Sequence, residues 1–175
     1  SDNIRIEFRG TKGADFESDI SIDDVSVAEA VTTDLELTSI VEPANNISCF
    51  GPNETVTVEL ESEGATTVDF SVDTAVITLT VTGANTGQYF ATLTTGTLAQ
   101  FQTQNVTFMG VDLSVVGTSD LTFTVTINGD GNALNDTISG TFITQPVIST
   151  FPYLEDFEAG EGGWVAVGGN SSWAF

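Results

Sequence analysis

The chain has almost no basic residues. Among its 175 residues there are three Lys and Arg, no His, and 25 Asp and Glu, which gives a formal net charge of −22 at pH 7. The three basic residues, Arg5, Arg9 and Lys12, all lie near the start of the sequence. An acid-only surface repels nucleic acid and anionic membranes, because it has no cations to replace phosphate counterions. We therefore expect both to be poor partners and divalent cations to be better ones. The alternative is that the charge serves solubility alone.

Other residue types are equally scarce. The single cysteine, Cys49, excludes a disulfide within the chain and a cysteine-based zinc cluster. We expect it to be a buried, inert thiol, with pairing to another chain as the open alternative. There is no run of about 20 apolar residues that would span a membrane.

The composition also argues against catalysis. Without His, and without a serine in a nucleophile-elbow pattern, the chain lacks the groups that acyl transfer needs. Two carboxylates at a defined separation could hydrolyse a glycoside, but no pair is singled out by the sequence. We expect no enzymatic activity in this chain.

The sequence does contain many short runs in which apolar and polar residues alternate. This period of two is typical of half-buried strands, and Gly, Pro, Asn and Asp separate the runs as turn residues do. No helix of useful length is predicted. The pattern predicts an all-β fold, an antiparallel immunoglobulin-like Greek-key sandwich over residues 33–146. Its predicted strands cover residues 35–40, 55–61, 68–72, 76–81, 89–93, 104–108, 121–127 and 137–143.

The flanks of this region also have β-like patterns. Residues 4–8 alternate cleanly, and residues 19–27 form a second run in which the apolar face changes sides at Asp23 and Asp24. A β-bulge would explain that change. Residues 151–158 form an acidic and aromatic run near the other end of the sequence.

These segments resemble two known families. Residues 34–49, the strand at 54–58 and the run 135–137 resemble the CARDB-related immunoglobulin-like repeats of secreted Bacteroidota proteins. Residues 18–25 and 155–158, with Trp164 and Trp173, are similar to MAM-like jelly rolls. The resemblance implies that residues 1–29 are the C-terminal strands of one jelly roll and residues 149–175 the N-terminal strands of another. The fold would then be a complete sandwich flanked by incomplete jelly-roll segments.

The resemblance also implies a function. Such modules alternate in giant bacterial surface adhesins, including gliding-motility adhesins exported by type IX secretion. We expect an extracellular spacer repeat of a large cell-surface adhesin or filament, whose partners are neighbouring repeats of the same chain and a surface or glycan. An alternative is a glycan-binding or accessory region of a secreted multidomain enzyme. A third is a fibre in which the two flanking strands pair between molecules.

Four acidic residues are candidate ligands of a structural cation. In the jelly rolls that the flanks resemble, an acidic residue of the first strand joins a carboxylate of the last strand at a cation. The matching residues are Asp23 and Asp24 at one flank and Asp156 and Glu158 at the other. Carboxylate oxygens suit Ca²⁺, which accepts six to eight oxygen ligands in flexible geometry. The alternative is that these acids face solvent or protect an edge strand.

The run Asn128-Gly129-Asp130-Gly131-Asn132 has some features of an EF-hand loop, but the closing glutamate is missing. We expect a hairpin turn between two strands instead.

Two threonines are candidate sites of modification. Thr74 and Thr137 lie in Asp-Thr-apolar tripeptides, the pattern of periplasmic O-glycosylation in the bacteria that the chain resembles. Such tripeptides also arise by chance in a threonine-rich sequence. Trp164 and Trp173 could form an aromatic platform for sugar, but we expect them to fill a core.

Overall fold

The computed structural model describes residues 6–10, 31–160 and 162. In these residues the chain forms ten strands and no helix. This part of the chain therefore contains no helix that could cross a membrane. The strands are β1 (Leu35–Glu42), β2 (Ile47–Ser48), β3 (Glu54–Ser62), β4 (Val68–Asp69), β5 (Ala75–Gly83), β6 (Gly87–Leu93), β7 (Thr97–Leu98), β8 (Thr103–Val111), β9 (Gly117–Thr126) and β10 (Thr137–Thr144).

The strands form two main sheets. One has the order β1-β3-β8 and is antiparallel throughout. The other has the order β2-β10-β9-β5-β6 and is antiparallel except where β2 runs parallel to β10. The short strands β4 and β7 pair with each other. The prediction of an all-β fold with antiparallel sheets is confirmed.

The core lies between the two sheets. In β5 every second residue from Ala75 to Val81 is buried while the residues between them are partly exposed, which is the pattern of a strand with one face inward. Phe108 of one sheet packs against Phe123 of the other with ring centroids 5.9 Å apart. Each such buried apolar side chain stabilises the fold by about 1.5–3 kcal/mol relative to an exposed one.

The chain enters and leaves the sandwich at opposite ends. The Leu37 N–H donates to the Asn135 carbonyl at 3.3 Å, so β1 and β10 start at the same end. The eight residues of β10 then carry the chain roughly 26 Å to Thr144. There the Gln145 N–H donates to the Ser48 carbonyl at 2.8 Å. We call the end with Asn135 the leading end and the end with Thr144 the trailing end.

The flanks differ from the predicted pattern. Residues 6–10 form no strand, and Ile6 and Phe8 are about half exposed, so the strand prediction is wrong for the described part of residues 4–8. Residues 145–160 contain no strand either, which overturns the predicted strand at 151–158. Phe151 and Leu154 are exposed there. The jelly-roll interpretation of the flanks stays a prediction, since residues 11–30 and 163–175 lie outside the described residues.

Candidate functional site

An acidic groove opens at the leading end of the sandwich. Its volume is about 440 Å³. It lies where the segment that precedes β1 meets the loops after β3, β7 and β9. Its lining residues are Val31, Asp34, Glu63, Gln100, Phe101, Gly131 and Asn132.

The loop between β9 and β10 fastens the segment that leads into β1. Asp130 Oδ2 accepts a hydrogen bond from the Leu35 N–H at 3.1 Å, and Asp130 Oδ1 accepts one from the Asn132 N–H at 3.0 Å. The Gly131 N–H donates to the Thr33 carbonyl at 2.9 Å. The loop does join two antiparallel strands, as predicted, but Asp130 also acts across the fold. Sequence reasoning missed this second role, because no local pattern shows which distant amide the carboxylate meets.

Asp34 is a buried carboxylate beside this loop. Only 5% of its surface is exposed, and its Oδ1 accepts a hydrogen bond from Asn135 Nδ2 at 3.1 Å. Its carbonyl accepts hydrogen bonds from the Glu63 and Gly64 N–H groups at 3.0 and 3.3 Å. A Cβ on Gly64 would lie 2.7 Å from the Thr32 carbonyl oxygen, so glycine permits this close approach.

The leading end is electrostatically strained. Burial raises the pKa of Asp136 above its usual range, and the nearby charges of Asp130 and Asp34 raise it further. Burial, followed by the charges of Glu36, Glu61 and Asp34, also raises the pKa of Glu63. The environment therefore favours a proton or another positive charge over a bare carboxylate.

Three side-chain oxygens at this end are shielded from solvent and have no hydrogen-bond partner among the described residues. They are Ser62 Oγ, Asn135 Oδ1 and Asp136 Oδ1. No three acidic, His or Cys side chains among the described residues lie close enough together to hold a metal ion.

Phe101 forms the apolar wall of the groove. It is 66% exposed and has a positive φ of 60°, which an apolar residue rarely adopts. Its N–H donates to the Ser62 carbonyl at 2.6 Å, and Gln100 Nε2 donates to the Glu63 carbonyl at 3.3 Å. Sequence reasoning missed this residue. The only signal was an aromatic side chain between two glutamines in a loop.

Two of the four predicted calcium ligands lie within the described residues. Asp156 and Glu158 are exposed, and Asp156 Oδ1 accepts a hydrogen bond from the Glu158 N–H at 3.1 Å. This contact closes a local turn and does not build a chelating cluster. Asp23 and Asp24 lie outside the described residues, so the calcium prediction stays a prediction.

The predicted glycosylation sites are both accessible. Thr74 is exposed just before β5, and Thr137 is exposed at the start of β10, where its hydroxyl lies 3.3 Å from that of Thr124. Modification itself stays a prediction. Trp164 and Trp173 lie outside the described residues.

Cys49 corrects an expectation. The thiol is exposed near the trailing end, with Sγ 3.8 Å from the Pro146 carbonyl oxygen, so the prediction of a buried thiol is wrong. The loop after β2 carries this side chain outward, while the adjacent Phe50 turns into the core.

Comparisons with known proteins give a structural similarity only. No protein-family model matches the chain, and no curated protein matches it. The fold is similar to the CARDB domain of a Pyrococcus furiosus protein, which was solved in complex with two metal ions. That similarity has a TM-score of 0.45 and 12% identity, over 67% of this chain and 96% of the other. A sporulation control protein from Bacillus subtilis gives a TM-score of 0.32 and 14% identity, over 66% of this chain and 49% of the other.

Proposed function

We propose that this chain is an extracellular spacer module of a large bacterial surface adhesin or filament. The observation that carries the proposal is the position of the two connections. The chain enters at the leading end and leaves at the trailing end, roughly 26 Å away along β10. Modules with connections at opposite ends extend a protein when they are joined in series, whereas modules with adjacent ends fold it back.

The strand pairing suits a module that carries tension. A pull on the two connections acts along β1 and β10, parallel to the strands. All eight residue pairs between β10 and β9 then resist together, because their hydrogen bonds lie across the direction of pull. The parallel pairs of Ile47 with Ile143 and Ser48 with Thr144 reinforce the trailing end.

Stretching of single molecules tests the spacer role. Tandem copies of the chain should give a regular series of unfolding events. About 110 residues from Leu35 to Thr144 should each add up to ~3.6 Å, so each event should lengthen the molecule by roughly 350–400 Å. Extension without discrete events would contradict a load-bearing module. Proteinase K is the matching biochemical probe, and rapid cutting within residues 31–146 of the folded chain would also count against it.

The finer parts of the proposal rest on the family resemblance and on charge. They are a bacterial cell-surface location, export by type IX secretion, a place among gliding-motility adhesins, and neighbouring repeats as partners. The sequence contains no Lys or Arg after Lys12, so trypsin has no cleavage site in the residues that follow. This resistance supports exposure outside the cell. Antibodies against the chain should label intact cells of its source organism. Labelling only after cell lysis would reject the surface location.

The proposal includes structural Ca²⁺ in the flanking domains, where Asp23 and Asp24 would supply half of the site in one domain and Asp156 and Glu158 half of the site in the next. The excess of acidic residues and the exposure of Asp156 and Glu158 support it. Calorimetry should use a longer chain with a complete flanking domain, and Asp156→Asn is the matched variant. If Ca²⁺ gives neither heat nor a rise in melting temperature, the cation part fails while the spacer part stands.

The proposal also includes O-glycosylation at Thr74 and Thr137. Both side chains are exposed at strand margins, where a glycan would shield the sheet. Intact-mass measurement on native protein should show added hexose, and a mass equal to that of the bare sequence would remove this part.

A glycan-binding or accessory role in a secreted enzyme is the second candidate. One observation favours it: the groove at the leading end combines an exposed aromatic ring, Phe101, with the polar side chains of Gln100 and Asn132. Sugars bind to such combinations of ring and hydrogen-bonding groups. A glycan array would test it, with Phe101→Ala as the variant that should lose binding. The absence of any bound glycan would leave the spacer role alone.

A further inference from the structure

One side of the sandwich exposes two open strand edges. β6 is the outermost strand of the five-stranded sheet and β8 that of the three-stranded sheet, and in the described residues neither has a partner on its outer side. The two strands lie on the same side of the molecule, because the Asp112 N–H just after β8 donates to the Tyr89 hydroxyl of β6 at 3.0 Å. An open edge presents backbone N–H and C=O groups that another strand can pair with.

The β6 edge has none of the usual protection, whereas β8 has a β-bulge at Gly110, which its pairing with β3 skips. β6 and β8 contain no charged residue and no proline, although the whole chain has 25 acidic residues. Phe90 of β6 is 64% exposed and Met109 of β8 is 80% exposed. The edge strand on the opposite side, β1, carries Glu36 and Glu42. Proteins normally place charge or proline on long edges to prevent pairing, so an unprotected edge on this acidic surface is accessible to a partner strand.

We propose that two copies of the chain associate by antiparallel pairing of β6 with β6. A net charge of −22 makes two copies repel each other, and the uncharged edge is the approach at which that repulsion is smallest. The pairing would join the two five-stranded sheets into one continuous sheet around a two-fold axis. An isologous contact of this kind closes on itself and produces a dimer.

The sequence of β6 is self-complementary in this arrangement. Phe90 is the central residue of the strand Gly87–Leu93, so a two-fold axis through it places each Phe90 opposite its own copy on the outer face. Gln88 then faces Thr92 of the second copy. On the inner face, Tyr89 faces Ala91 and Gly87 faces Leu93, so each large side chain meets a small one. Cross-strand aromatic pairs stabilise sheets, and no like charges oppose each other here.

The ionic-strength dependence identifies this interface. Salt screens the repulsion between two acidic molecules within about 8–10 Å, while backbone hydrogen bonds and apolar contacts persist. Dimerisation should therefore strengthen as salt is added, whereas an interface built on ion pairs would weaken. This inference goes beyond the spacer role, since it adds lateral contact between neighbouring filaments.

Sedimentation equilibrium of the 175-residue chain over a range of NaCl concentrations provides the first test. We expect a monomer–dimer equilibrium that shifts toward dimer with salt. Phe90→Glu places two negative charges opposite each other and removes the ring pair, so it should weaken the dimer on the order of tenfold or more. Leu134→Glu adds the same charge at a 94% exposed loop position and should leave the dimer unchanged. A monomer under all conditions, or assembly beyond the dimer, would overturn the proposal.

Cysteine cross-linking tests the strand register directly. In a Cys49→Ser background, Phe90→Cys should form a disulfide with its own copy. Gln88→Cys should cross-link in a mixture with Thr92→Cys but poorly with itself, because the two copies of residue 88 would lie about four residues, or ~13 Å, apart. These surface variants should fold normally, which melting curves will verify. Cross-linking at residue 90 no faster than in a Leu134→Cys control, or capture of a foreign extended peptide by a chain that stays monomeric, would refute the β6 dimer.

Discussion

Replacement of Asp130 by alanine tests how the leading end is held together. The carboxylate accepts hydrogen bonds from the Leu35 and Asn132 N–H groups at 3.1 and 3.0 Å. Leu35 is fully buried, so its N–H would be left without a partner and without water. An unpaired buried donor costs about 1–3 kcal/mol. Asp130 also repels Asp136, so its removal relieves that repulsion. After solvent screening, this relief stabilises the fold by at most about 0.5 kcal/mol. We expect a net loss of about 1–2 kcal/mol.

The loss should appear as a fall in melting temperature of about 4–10 °C for a sandwich of this size. Amide hydrogen exchange of Leu35 should accelerate more than that of residues in the centre of the sheets. Asp130→Asn keeps one side-chain carbonyl and should cost about half as much. Asp73→Ala is the matched control, since it removes an acid whose side chain makes no hydrogen bond to another described residue. If Asp130→Ala is no less stable than Asp73→Ala, or if exchange at Leu35 is unchanged, the carboxylate does not fasten this segment.

Three further predictions concern the pH response, one turn and the core. The pKa of Asp136 is raised in the folded state, so its contribution to stability is greatest at low pH and is lost as pH rises through that pKa. Urea unfolding at several pH values should show Asp136→Asn to be more stable than the wild type at pH 7 and less dependent on pH, and a steeper dependence would contradict this. Gly83→Ala should cost about 1–3 kcal/mol, because φ is +98° and a Cβ would lie 2.5 Å from the Thr118 carbonyl oxygen. Gly96→Ala, at φ +90° with nothing within 4 Å, should cost less, and equal losses would show that the contact is irrelevant. Phe123→Ala should lower the free energy of unfolding by about 3–5 kcal/mol, as measured by urea denaturation. A loss below about 1 kcal/mol would mean that the two sheets are not packed through this ring.

The alternating pattern predicted the central strands well and the short ones poorly. Residues 55–61 were predicted as a strand, and β3 spans Glu54–Ser62. Residues 68–72 were also predicted as a strand, but β4 ends at Asp69. There the side-chain Oδ1 accepts hydrogen bonds from the N–H and hydroxyl of Ser71 at 2.9 and 2.6 Å. This local bond competes with the strand and leaves Val72 exposed. The alternation of apolar and polar residues carries no information about such side-chain hydrogen bonds, so it could not predict where β4 ends.

The leading end could not be predicted for a different reason. Asp34 and Asn135 lie 101 positions apart in sequence, and Asp130 meets an amide 95 positions away. Each residue looks like an ordinary turn or strand-margin residue in its own neighbourhood. Only the order of the strands brings these residues together, and the sequence patterns predicted strands without predicting that order.

The fastening of residues 31–34 has a consequence for the stiffness of any larger assembly. The Val31 and Thr32 carbonyls accept hydrogen bonds from the Ala65 and Thr66 N–H groups at 2.9 and 3.2 Å, while Thr33 is bonded to Gly131. The backbone is thus held on two sides before β1 begins. A preceding module would therefore be joined to a rigid segment of backbone with a defined direction, and not to a flexible linker. In a series of such modules, the backbone from Val31 onward would bend together with the sandwich and would add little to the thermal bending of the whole fibre.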